Sequence, residues 1–187
     1  MGSMTVERVA IGTIEELERE RSLRPDLRWE LLDGELVVTP SPRPLHQDMA
    51  GRLYIRLMSA APESLAVYMA PLDVHLSDTA VLQPDLVVVS RSQVTDEGID
   101  GVPLLAVEVL SPSTRRPDLI TKLELLGQAG CPHYWVVDPD TRSVRLWRLV
   151  EGRYELQARV AGDDEVQVTE PVELSFRVND LLPPSVD

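Results

Sequence analysis

Leu104-Leu105-Ala106-Val107-Glu108-Val109-Leu110 is apolar throughout except for the acid near its centre. A short run without alternation reads as a strand buried on both faces, where an ionised carboxylate is costly unless a cation or a proton accompanies it. The preceding run, Asp85-Leu86-Val87-Val88-Val89-Ser90, opens on a second carboxylate directly after Pro84, and the segment Arg91 to Val102 between the two holds Gly98 and Gly101. If the runs are antiparallel neighbours in symmetric register, Ser90 faces Pro103 and Asp85 faces Glu108. Directly opposed side chains have Cβ atoms about 4.5–5.5 Å apart, so this pair would share one metal ion or keep one carboxyl protonated. Oxygen-only ligands favour Mg²⁺ or Mn²⁺ over zinc. Each acid also has a structural reading, Asp85 as a turn residue opening a strand and Glu108 held by a helix N-terminus or an arginine.

Outward from this pair strand and helix signals follow one another along the chain. Thr13 and Glu16 form a capping box ahead of a short helix that Pro25 ends. Arg28 to Leu32 and Glu35 to Thr39, joined by Asp33-Gly34, carry the strongest hairpin signal in the chain. After Pro40, Pro42 and Pro44, the spacing of Met49, Leu53 and Leu57 predicts a helix from Leu45 to about Ala60. Short strands follow near Ser64 to Tyr68 and Leu72 to Leu76. Downstream of Glu108, Leu119, Leu123 and Leu126 line a helix ending near Gly127 and Gly130. Tyr134 to Val137 reads as a core strand and Val144 to Leu149 as an outer one, with edge strands and a short terminal segment, Val178 to Leu182, completing the chain.

At 187 residues and 43% apolar, the sequence suits one domain. We expect residues 13–182 to form it, with residues 1–12 a cloning remnant and flexible N-terminus and residues 183–187 a flexible tail. No apolar stretch approaches the roughly 18 residues that span a bilayer, and the charged start lacks a signal-peptide core, so a cytoplasmic protein without a membrane is expected. The single Cys131 excludes an intrachain disulfide and a cysteine-rich zinc site. A net charge of −13 argues against a general nucleic-acid coat protein. The charge is uneven, however: Ser111 to Arg148 holds six basic and four acidic residues, +2 in all, leaving −15 on the remainder.

Seventeen of the eighteen basic residues are arginine, and the one lysine, Lys122, lies in the helix after the Glu108 strand. A compact ammonium suits approach to a water or phosphate oxygen; an i, i+4 ion pair with Asp118 on a solvated face, or chance, accounts for it equally well. Glu30, within its strand, and His46, at the start of the next helix, are candidates to tune the same cleft as supporting acid or base, though each also has a structural reading. His75 and His133 stand apart from metal-ligand spacing, and Ser111, Ser113 and Thr114 suit a loop and helix cap.

Arg28-Trp29-Glu30-Leu31-Leu32-Asp33-Gly34-Glu35-Leu36, His46, Pro84-Asp85, Val107 to Thr114, Asp118, Lys122 and Tyr134 to Pro139, in this order and spacing, resemble the Uma2 family, also called DUF820, of putative restriction endonucleases. The resemblance runs from about Thr13 to Leu182. It implies an α/β (α+β, mixed-sheet) fold with a restriction-endonuclease-like core of the PD-(D/E)XK superfamily, a mixed sheet flanked by helices with a divalent metal at a carboxylate pair. Asp85 matches the PD aspartate and Glu108 the second acid; the lysine usual two residues later is Leu110 here, and Lys122 matches its displaced position. The implied activity is Mg²⁺- or Mn²⁺-dependent hydrolysis of nucleic acid, DNA favoured, with Asp85, Glu108 and the Val109 carbonyl as metal ligands, Lys122 catalytic, and a homodimer conceivable. The missing lysine at 110 and the acidic charge also admit a catalytically silent regulatory or protein-interaction module.

Overall fold

The computed structural model of the chain describes residues 7–39, 41–111 and 117–184. After β1 (Glu7–Ile11), the Thr13 hydroxyl accepts from the Glu16 N–H at the head of α1 (Ile14–Leu23), while the Glu16 carboxylate accepts from the Thr13 N–H, completing the capping box. β2 (Arg28–Leu32) and β3 (Glu35–Thr39) form the hairpin. Asp33 and Gly34 between them both take positive φ, 52° and 74°, as a two-residue type I′ turn demands. α2 (Pro44–Ala60) starts on proline and buries Met49, Ala50, Leu53 and Leu57 along one face, with His46 in its first turn.

Six short strands follow: β4 (Leu65–Met69), β5 (Val74–Ser77), β6 (Ala80–Leu82), β7 (Leu86–Ser90), β8 (Ile99–Asp100) and β9 (Leu105–Val109). A π-type turn, Pro117–Thr121, leads into α3 (Lys122–Ala129), which Gly130 closes at φ 91°. β10 (His133–Asp138), β11 (Ser143–Val150), β12 (Arg153–Ala161), β13 (Glu165–Val168), β14 (Leu174–Arg177) and a 3₁₀ turn at Val178–Leu181 complete the described chain. No helix among the described residues is long and apolar enough to cross a membrane.

The strands build two six-stranded sheets, ordered β1-β3-β2-β6-β5-β8 and β12-β11-β10-β9-β7-β4, and a separate β13–β14 pair. The second is the mixed central sheet that the family resemblance implies: β9 runs parallel to β10, and the other neighbours are antiparallel. The first grows from the β2–β3 hairpin by short strands, including β6, whose three residues are too few to show alternation in sequence.

Alternation along the strands fixes the layers. Leu105, Val107 and Val109 of β9 pack with Met49, Leu53 and Leu57 of α2 and with Phe176 of β14. Ala106 and Leu110 turn to the other side, against Leu32 and Val37 of the hairpin and Leu126 of α3. Trp29 and Leu31 pack on Leu17 of α1, so Arg28, Glu30 and Leu32 face the central sheet. The seam between the two sheets is where the charged candidates meet.

Candidate active site

β7 and β9 pair with Leu86 opposite Val107, Val87 opposite Ala106 and Val88 opposite Leu105. One more residue of this register sets Asp85 opposite Glu108, on the face that looks into the seam. Both are buried, at 6% and 2% exposure, so each carboxylate must find donors inside the protein.

Asp85 finds three. Its Oδ2 accepts from the Val109 N–H at 2.8 Å and lies 3.0 Å from His46 Nε2, and its Oδ1 lies 3.4 Å from an Arg28 NH1. Burial acts against its ionisation, but the hydrogen bond and charge of His46, then the charge of Arg28 and the Val109 N–H, outweigh it and hold the carboxyl well below the usual aspartate range. The other ring nitrogen of His46, Nδ1, is buried without a hydrogen-bond partner among the described residues.

Glu108 takes the Lys122 ammonium at 2.8 Å on Oε1. The same ammonium lies 3.0 Å from Glu30 Oε1, so it bridges the acid of β9 and the acid of β2. Glu30 also accepts from the Gln83 N–H at 2.7 Å and the Thr39 hydroxyl at 3.1 Å. Burial again opposes its charge, and Lys122, then Arg28 and the Gln83 N–H, more than compensate, holding it ionised below the usual glutamate range. Lys122 is 3% exposed, which rules out the solvated-face reading of this residue. Leu126, one turn further along α3, packs with Leu110 and Ala106, so the apolar face of the helix aims its first residue at Glu108.

Five residues singled out from sequence thus meet in one cluster: Glu30, His46, Asp85, Glu108 and Lys122, with the Val109 backbone beside them. The side chain of Asp118, and Ser113 and Thr114, lie outside the described residues. His75 sits on β5 and His133 at the start of β10, and among the described residues no group of three or more His, Cys, Asp or Glu is arranged to hold a metal. A groove of about 820 Å³ lined by His133, Trp147, Arg148 and Glu170, among others, includes none of the cluster.

Two members escape sequence reasoning. Arg28 donates from Nε to Gln83 Oε1 at 3.1 Å and from NH2 to the Gln83 carbonyl, besides reaching Asp85. Burial disfavours this cation, yet Glu30, Asp85 and Glu108 around it raise its pKa above the usual arginine value. Gln83 uses every polar group it has: N–H to Glu30, carbonyl and Oε1 to Arg28, and Nε2 to Asp73 Oδ1 at 2.8 Å. Asp73 is in turn gripped by Arg21 of α1 through both oxygens, at 2.5 and 2.7 Å. The one local signal for Arg28 is its i, i+2 spacing from Glu30, which puts both on one face of a strand.

A crystal structure described as a putative nuclease belonging to DUF820 from Anabaena variabilis ATCC 29413 superposes with a TM-score of 0.68 at 21% identity, covering 82% of this chain and 88% of that one. The two therefore share a fold. No curated protein matches the chain. The family model of Uma2, described as "Putative restriction endonuclease", matches residues 14–180, from the start of α1 to the terminal 3₁₀ turn. The chain belongs to the Uma2 family.

Proposed function

We propose that the protein is a divalent-metal-dependent nuclease that hydrolyses phosphodiester bonds of nucleic acid, DNA favoured, at the seam between the two sheets. The observation that carries this reading is the β7–β9 register, which brings Asp85 beside Glu108, with Lys122 2.8 Å from the latter. The donor set suits the ion: two carboxylates and a nearby backbone carbonyl, that of Val109, are hard oxygen ligands, and Mg²⁺ is commonly held by one or two carboxylates together with water and substrate phosphate. Among the described residues, the three carboxylates Glu30, Asp85 and Glu108 stand beside the fixed cations Arg28 and Lys122 and beside His46.

When bound, Mg²⁺ or Mn²⁺ supplies polarisation of the phosphoryl oxygen and acidification of a water molecule. The chain's own residues do the rest. Arg28 and the Val109 N–H keep Asp85 ionised and oriented, and His46 fixes its Oδ2. Glu30, 3.0 Å from the Lys122 ammonium, keeps it aimed at Glu108, where it would orient the attacking water or offset charge developing on the phosphate. Leu110 at the usual lysine position and the net charge of −13 also admit a catalytically silent module; the buried ammonium of Lys122, 2.8 Å from Glu108, supports the nuclease instead. Glu108→Gln is the direct test: Mg²⁺-dependent cleavage of plasmid DNA is expected to disappear, and an unchanged rate would remove the proposed role.

A further inference from the structure

β11 and β12 set Arg145 directly opposite Arg159. Like charges so placed repel. The chain has 31 acidic residues to 18 basic, yet neither of these guanidiniums has an ion pair or hydrogen bond among the described residues. Arg148, on the other face of β11, does, lying 3.1 Å from Glu170.

The rung they stand on continues inward. Arg145 pairs with Val136, Val136 with Glu108, and the β7–β9 register carries the rung on to Asp85. Opposed residues share a face, so both arginines lie on the carboxylate side of the central sheet. At about 4.8 Å per strand they stand roughly 10 and 14 Å along the rung from Glu108. Arg145 is half-buried and Arg159 exposed. Trp147 and Tyr154 share that face, and β11 and β12 put no acid on it; Glu155 pairs with Arg148 and so belongs to the opposite face. Against a net charge of −13, this strip of β11 and β12 offers a polyanion a place to approach, the acid that β10 adds to the same face, Asp138, being buried.

We propose that Arg145 and Arg159 form a phosphate-contact site for the backbone of duplex DNA whose scissile bond lies at Asp85 and Glu108. The proposal rests on the nuclease reading above and adds the side on which the duplex flanking the scissile bond lies: that of the β11–β12 edge, beyond the buried Val136 of β10. The rival account is that charges on the edge strand β12 merely discourage edge-to-edge pairing.

Fluorescence anisotropy with duplex DNA in EDTA, repeated over a range of salt concentrations, separates the two. Each phosphate contact contributes about 0.9 to the slope of log affinity against log salt. Arg145→Gln with Arg159→Gln is expected to lower that slope by about 1.8, by the same rule, and to weaken binding, with the melting temperature unchanged. Arg153→Gln serves as control, since Arg153 pairs with Val150 on the other face, and is expected to leave the slope alone. A double variant with the wild-type slope, in a protein that binds and cleaves DNA, overturns the arginine proposal and leaves the nuclease reading standing. A wild-type protein that neither binds nor cleaves DNA overturns both.

Discussion

The Lys122 ammonium lies 2.8 Å from Glu108 Oε1, although the two residues are 14 apart in sequence and stand on a helix and a strand. Leu110, where the strand itself would carry a lysine, is instead buried among Ala106, Leu126 and Tyr134. The helix that packs on this apolar patch delivers the cation from above. A charge that the strand could have supplied is thus supplied by tertiary packing.

That dependence makes Lys122→Met costly. It would leave Glu30 and Glu108 facing each other in the interior without their shared cation, and breaking a buried pair by removing one partner costs about 3–5 kcal/mol. Urea unfolding is expected to show a loss of this size. Lys122→Arg is not expected to restore it, because a planar guanidinium cannot occupy the point between two carboxylates that an ammonium does.

Acid should destabilise the fold in a way that traces to Asp85. Its folded-state pKa lies below the unfolded one, so the unfolded chain takes up the proton first as pH falls. Its contribution to stability is complete above about pH 5 and is lost progressively below it. In EDTA, Asp85→Asn is expected to flatten the fall of unfolding free energy between about pH 5 and pH 3 relative to wild type; an acid limb of identical slope would contradict the assignment.

Gln83 should matter to the site without touching metal or substrate. Gln83→Leu would strip Arg28 and Asp73 of buried partners, and each group left unsatisfied costs about 1–3 kcal/mol. We expect a lower melting temperature and, at a temperature where the variant is folded, weaker Mg²⁺ binding. Asp73→Asn, which loosens the grip of Arg21 on the same chain of bonds, is expected to shift metal affinity in the same direction by a smaller amount.

Cys131 should be unreactive. It is fully buried, and burial pushes its thiol up to about 11, so little thiolate forms near neutrality. Iodoacetamide at pH 8 is expected to label it in urea and to leave the native protein unmodified over the same time.

Much of this architecture was legible in the residues. Asp33-Gly34 dictated the hairpin, Thr13 and Glu16 the start of α1, and the symmetric spacing of the two apolar runs placed Asp85 opposite Glu108. These are signals local to one turn or one strand pair. Arg28 and Gln83 were not legible as site residues because their partners lie 55 and 10 residues away on other strands and loops. Nothing in the periodicity of β2 marks the half-buried arginine at its first position as part of the cluster. The same holds for Lys122: its spacing from Asp118 is as good for a surface ion pair as for anything else, and only the packing of Leu126 decides which way it points. The first sheet was half visible, since β6 and β8 are three and two residues long and owe their pairing to neighbours already in place.

The central claim is that Asp85 and Glu108 together hold a divalent cation. Titration calorimetry with Mg²⁺ and Mn²⁺ on the wild type and on Asp85→Asn with Glu108→Gln tests it most directly. Binding by the wild type that vanishes in the double variant is the predicted result. Undiminished binding in the double variant would place the ion elsewhere and contradict the account.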